Sequence, residues 1–320
     1  MLLARSALTL LATLLIAGCG SAPSQPRETA PTPAAADFPD ADGRTLVELR
    51  DSFEQGDVVL SAAMSVLEPG ETNRFGFGLF DLSRAQLNEE TAAIYIARAG
   101  GGPALGPFPA SAESLAVSPQ FRSAGAEADG AQSVYAAEIP IGGGGQYEFL
   151  GAVGRDGEIV FADPASPPLS ADPDNEVPDI GDQAPPISTP TYTSVGGDLE
   201  QIDTRVPAAR ELHEDNFADV VGKRPAVLMF ATPALCQTRV CGPVVDEMLE
   251  VSAEAPEEIA FIHQEVYIDN ELEKGVRPQL TKFGLQSEPW TFVVGADGRI
   301  VERFEGAFSI AELREAVSRL

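Results

Sequence analysis

The chain has 320 residues, 49 of them acidic against 21 basic, for a net charge of −28. A surface that acidic repels nucleic acid and anionic lipid headgroups alike, which argues against both as ligands. Its length is enough for two domains. Within the first 18 residues Arg5 is the only charge, and residues 8–16 form an apolar run. That run is too short to cross a bilayer, for which ~20 residues are needed, but it suits a secretory signal.

The run ends at Ile16-Ala17-Gly18-Cys19, which resembles the bacterial lipobox. The resemblance implies that residues 1–18 are a lipoprotein signal peptide and that Cys19 is diacylated with palmitate-type chains. Two or three acyl chains would hold the protein on the extracytoplasmic side of a cell membrane. Loss of Arg5 with the signal makes the mature chain one unit more negative. Residues 19–42 carry Pro23, Pro26, Pro31, Pro33 and an alanine run without apolar periodicity. They read as a disordered tether, with a reach of roughly 25 Å for about 23 residues.

From 43 to 162 the pattern is β. Apolar residues fill 57–67; Phe75, Phe77 and Leu79 alternate in 74–82; Ile94 and Ile96 alternate against Tyr95 in 92–98. Strands at 133–139 and 147–153 follow, and the Asp156-Gly157 turn leads into 158–161. Six or seven short strands predict an immunoglobulin-like sandwich, interrupted by the glycine-rich stretch 100–109. No catalytic motif lies here: Gly142–Gly145 precedes a strand rather than a helix, the wrong setting for a phosphate loop.

Residues 163–180 hold five prolines and read as a second linker. Asp172 to Glu176 fails as a calcium loop, because Val177 stands where glycine is needed. From 181 to 320 the texture alternates. A helix is expected over 211–221, a buried strand over 226–231, a helix over 244–253 and a strand over 259–268. A short helix at 280–283, a hairpin over 290–304 and a closing amphipathic helix over 310–320 complete the order βαβαββα.

With Cys19 committed to lipid, Cys236 and Cys241 remain, and in an exported chain such a pair is a disulfide or a redox centre. Around them the resemblance to the thioredoxin and peroxiredoxin superfamily lies in four segments. Gly181-Asp182-Gln183-Ala184-Pro185 is similar to the opening of peroxiredoxins. Phe230-Ala231-Thr232-Pro233-Ala234-Leu235-Cys236 resembles the strand-to-active-site turn, and Pro243-Val244-Val245-Asp246-Glu247 a kinked first helix with an internal proline. Ser287-Glu288-Pro289-Trp290 falls where those proteins have a cis-proline. The resemblance implies an α/β thioredoxin-like C-terminal domain, a mixed sheet with helices on both faces. It also implies Cys236 as nucleophile, Cys241 as resolving cysteine, and a substrate groove shaped by Pro289 with Glu288 and Trp290.

The departures are specific. The cysteines are spaced C-x₄-C, as in one branch of peroxiredoxins, yet Thr232 lies four residues before Cys236 where those enzymes have threonine at three. Thr232 and Arg239 are the candidate activating residues, with Arg277 a further basic candidate. His263, on an expected central strand, reads as a packed histidine rather than a copper ligand. Residues i and i+5 of a regular helix have Cα atoms roughly 8.7 Å apart, whereas a disulfide needs less than about 7 Å. Cys236 therefore precedes the helix, or oxidation unwinds its first turn.

These features favour a membrane-anchored extracytoplasmic thiol–disulfide oxidoreductase. Its partners would be exported protein thiols or disulfides and a second redox protein that regenerates the pair. A peroxiredoxin-like thiol peroxidase and a non-catalytic binding lipoprotein with a structural disulfide are the alternatives. No cofactor or metal is expected.

Overall fold

The computed structural model describes residues 32–320 apart from 54, 89–90, 125–129, 156, 166 and 237–239. The signal peptide, Cys19 and Arg239 lie outside the described residues. Ten strands come first: β1 (Gln55–Ala62), β2 (Val66–Leu67), β3 (Thr72–Asp81), β4 (Gln86–Leu87), β5 (Thr91–Arg98), β6 (Leu105–Ser114), β7 (Ser133–Pro140), β8 (Gly145–Arg155), β9 (Glu158–Pro164) and β10 (Leu169–Ala171). Seven of them close a ring in the order β8-β5-β6-β7-β3-β1-β9, with β9 returning to β8. Every pairing in the ring is antiparallel except β1 with β9.

The expected sandwich is thus a closed barrel. The strand that closes it from the other side is β6, which occupies the stretch thought to interrupt the sheet. Its sequence has two prolines and no alternation of large apolar residues, so nothing in it announces a strand. The alternating strands point as expected: Phe75, Phe77, Leu79, Ile94 and Ile96 fill the interior. Phe75 stacks on Phe149 with centroids 4.5 Å apart. Ala93 and Tyr95 face outward under α1 (Leu46–Asp51) and join Phe38, Leu49 and Phe161. Phe38 and Ala41 are buried, so the end of the segment read as a tether is docked on the barrel.

The second sheet has the order β12-β11-β13-β14, from β11 (Ala226–Phe230), β12 (Ala260–Gln264), β13 (Trp290–Val294) and β14 (Ile300–Glu305). β11 and β12 are parallel, and the other pairs are antiparallel. Every residue of β11, β12 and β13 is buried. One face of this sheet meets α3 (Cys241–Glu254) and α5 (Ile310–Val317). The opposite face is covered by irregular chain and by two short helices, α2 (Phe217–Val220) and α4 (Pro278–Lys282).

This corrects the expected fold class. The chain is mostly β, and it is not an α/β thioredoxin-like fold with helices on both faces. The helix expected over 211–221 breaks into a 3-10 turn at Arg210–His213 and the single turn of α2, which is started by the Asn216 side chain. Without long helices, the second face is closed by loops.

The two sheets share a core. Leu115, Val117 and Val134 from the barrel lie in one apolar cluster with Val227, Met229, Cys241, Val244 and Leu313. Arg74 of β3 donates to Glu312 of α5 at 3.0 Å, and Glu305 of β14 accepts the Val66 N–H at 3.0 Å. The proline-rich stretch 163–180 is packed too: β10 pairs with β8 and β2, and Val177 is buried under β11 and β13. At Gly306 the backbone has φ +76°, and a Cβ there would lie 2.0 Å from the Ala63 carbonyl oxygen. Only glycine allows that contact between the sheets.

Candidate functional site

Cys236 lies after β11 and outside any helix, while Cys241 is the first residue of α3. The two form a disulfide with Cα atoms 6.0 Å apart. Of the two geometries open to the pair, this is the one with Cys236 in the loop before the helix. Cys241, not Cys236, stands at the helix N-terminus, where backbone N–H groups lack intrahelical acceptors and stabilise negative charge. No side chain caps that terminus. Pro243 falls in the first turn, where its missing N–H costs no hydrogen bond, so it is not an internal kink.

The two cysteines also differ in burial. Cys241 is fully buried in the core shared by the sheets, and Cys236 is only partly buried against it.

The Glu288–Pro289 peptide is cis. A carboxylate oxygen of Glu288 and both sulfurs lie within 4.8 Å of one another. Burial pushes the Glu288 carboxyl up to about 7, and the neighbouring Glu265 carboxylate adds to it, against the Thr232 N–H that donates to it. Glu288 Oε2 is buried without a hydrogen-bond partner. Burial, and then the charge of Glu288, also raise the Tyr267 phenol.

Of the expected site residues, Cys236, Cys241 and Glu288 converge, with Thr232 supporting Glu288 through its backbone. Trp290 does not. It lies on the opposite face of β13 in the second core, where its indole N–H donates to Ser287 at 2.9 Å and its ring stacks on Phe292. It lines no groove at the cysteines. Arg277 is tied to the Tyr267 carbonyl at 2.8 Å and to Asn270.

The loop of Cys236 is held from below by a network that no sequence motif announces. The Thr204 hydroxyl accepts the Ala234 N–H at 3.1 Å and donates to Glu265 at 2.7 Å. Next to it, Arg205 donates to Asp246 of α3 at 2.7 Å, and Asp246 also accepts from the Ser123 N–H at 2.8 Å. Asp203, just before Thr204, lies with His213 and His263, all three wholly buried. Burial would raise the Asp203 carboxyl, but His213, His263 and the Ala209 N–H outweigh it and hold the group down to about 2. Sequence reasoning treats His263 as a packing residue and is silent on His213 and Asp203; their only signal is that the chain has just two histidines.

A cavity of about 640 Å³ opens elsewhere, between the sheets, lined by charged residues including Arg74, Glu138, Arg303 and Glu312. The cysteines are not among its lining. No known protein-family model matches this chain, and no curated protein matches it either.

Proposed function

We propose that the protein is an extracytoplasmic thiol–disulfide oxidoreductase, held to a membrane through Cys19, with Cys236 and Cys241 as its redox pair. The observation that carries the reading is the asymmetry of the disulfide beside an acid poised near neutral pH. The accessible Cys236 sulfur is the one a partner thiolate attacks. The S–S bond breaks, a partner–Cys236 disulfide forms, and Cys241 leaves as a thiolate at the N-terminus of α3. Protonated Glu288 delivers a proton to that thiolate. A second thiolate of the partner then attacks the partner sulfur of the mixed disulfide and releases Cys236, so the partner leaves oxidised and this protein holds two thiols. Run backwards, the same steps reduce a partner disulfide: Cys236 attacks it, Glu288 takes up the Cys241 proton, and Cys241 closes the disulfide on Cys236 as the partner leaves as a dithiol.

The test is to measure the reduction potential and turnover together. The expected potential lies well above the roughly −300 mV below which exported structural disulfides fall. Insulin should be reduced with a dithiol as electron source, and Cys241→Ser should trap partners through Cys236. Peroxide consumption without insulin reduction would favour the peroxidase chemistry instead. A disulfide that resists dithiothreitol in the folded protein would leave it a structural staple.

A further inference from the structure

We propose that Asp203, His213 and His263 are the protein ligands of a divalent transition-metal site of the zinc class, buried behind the cysteine loop. The three side chains are fully buried, and their ligand atoms lie within 4.8 Å of one another. His213 Nε2 is 3.4 Å from Asp203 Oδ2, and His263 Nδ1 is 3.7 Å from Asp203 Oδ1. Both separations exceed the 2.7–3.2 Å of a protein N–H···O bond. They are close to the edge of a tetrahedron whose bonds are 2.0–2.1 Å, an edge of about 3.4 Å. Separations this long make weak hydrogen bonds at best, and they suit ligands set around a common centre.

Hydrogen bonding supplies a second, independent argument. His263 Nε2 lies 2.9 Å from the Ala231 carbonyl oxygen, and since a carbonyl only accepts, Nε2 carries the proton. Nδ1 of the same ring is then a bare lone pair on the Asp203 side. A ligating histidine whose other N–H is anchored on a backbone carbonyl is the common second-shell arrangement of metal sites. His263 Nδ1 and both ring nitrogens of His213 are buried without a hydrogen-bond partner. Three such atoms in one spot would be costly as bare polar groups. A cation gives His263 Nδ1 and one His213 nitrogen an acceptor for their lone pairs. Asp203 is oriented for the task, its two oxygens held by the Arg205 N–H at 2.8 Å and the Ala209 N–H at 2.7 Å.

The donor set of two imidazoles and one carboxylate suits zinc and its neighbours better than calcium or magnesium, which want oxygen. The ion would clamp the loop bearing Asp203 and the turn bearing His213 to β12. Its anchoring carbonyl, Ala231, is the residue that leads from β11 into the cysteine loop.

The experiment uses the full chain with its disulfide intact, so that the sulfurs cannot be ligands. Because the cluster is enclosed, the protein is unfolded in denaturant with chelator and refolded with or without one equivalent of Co²⁺ or Zn²⁺. After desalting, the expected result is about one ion per chain, visible absorption bands of four-coordinate Co²⁺, and a higher thermal midpoint than the metal-free protein. His213→Gln and Asp203→Asn should retain less than about a tenth of that metal. The Cys236→Ser/Cys241→Ser variant leaves the cluster untouched and should retain it fully. Wild-type protein that refolds to the same midpoint with no retained metal would overturn the assignment. So would full retention in His213→Gln, or loss of the ion in the cysteine variant.

Discussion

Inside the barrel the buried side chains include Phe75, Phe77, Leu79, Ile94, Tyr135 and Phe149, with Phe75 stacked on Phe149 and Phe77 on Tyr135. Beneath β11 and β12 the buried set includes Asp203, Arg205, His213, Thr232, Asp246, Glu247, His263, Gln264 and Glu265. Among the described residues the barrel half buries few polar groups, and two of these, Ser123 and Glu113, bond across to Asp246 and Ser309 of the other half. Burying a charge or an imidazole costs free energy that an apolar residue of the same volume would not. The chain thus builds one core from hydrocarbon and loads the other with ionisable groups. The two cysteines lie on the loaded side.

The comparison can be broken by substitution. In the barrel, Phe75→Ala should cost about 3–5 kcal/mol of unfolding free energy through the cavity it opens, while the rate at which dithiothreitol reduces the disulfide in the folded protein stays unchanged. A parallel fall in that rate would show that the barrel core tunes the site. Arg205→Ala should cost a similar ~3–5 kcal/mol, because it strands the Asp246 carboxylate in the interior. Here the reduction rate should also change, since Asp246 lies on α3 and Thr204 holds the Ala234 N–H. Denaturant unfolding followed by single-turnover reduction separates the two outcomes.

Gly306→Ala tests the seam. With φ +76° and the Ala63 carbonyl 2.0 Å from the new Cβ, it should lose about 2–3 kcal/mol. If 163–180 is as firmly packed as β10 and Val177 indicate, proteolysis there should be slow in the wild type and faster in this variant. A stable fragment of about 140 residues released from the wild type would show instead that the halves are separable.

The smallest effect is a pH dependence. Burial raises the Glu288 carboxyl from its ordinary value of 4.5 to about 7, so the folded state binds more protons than the unfolded one. The group's contribution to stability is therefore full below about pH 4.5 and is lost as pH rises to about 7. Above that, its negative charge faces the sulfurs and should slow attack by a thiolate. At constant thiolate concentration the reduction rate should fall several-fold through about pH 7, and Glu288→Gln should flatten the profile. An inflection that survives the substitution would assign it to another group.

What could be read from the sequence was periodic or chemically distinctive. Phe75-x-Phe77-x-Leu79 announced its strand and its inward face, and the two cysteines announced their pairing. β6 was hidden because its prolines and small residues lack a period. The face of Trp290 was hidden for the opposite reason: Trp290-Thr291-Phe292-Val293-Val294 is buried on both sides, so alternation carries no signal there. Asp203, His213 and His263 come from a loop, a 3-10 turn and a strand, and only the fold brings them together. The four segments that resembled known enzymes were local, and local likeness did not fix how the surrounding layers were built.

One feature of the barrel governs the order in which the chain can assemble. β1 is bordered by β3, its near neighbour in sequence, and by β9, about a hundred residues further on. The ring cannot shut until its last strand has emerged and returned to its first. Pairings that distant make folding slow, because the long intervening chain must be ordered before the contacts that reward it form. Until then β1 and β8 each expose an unpaired edge, the kind of surface that recruits other chains. The interval before β9 arrives is therefore when this protein is most exposed to aggregation.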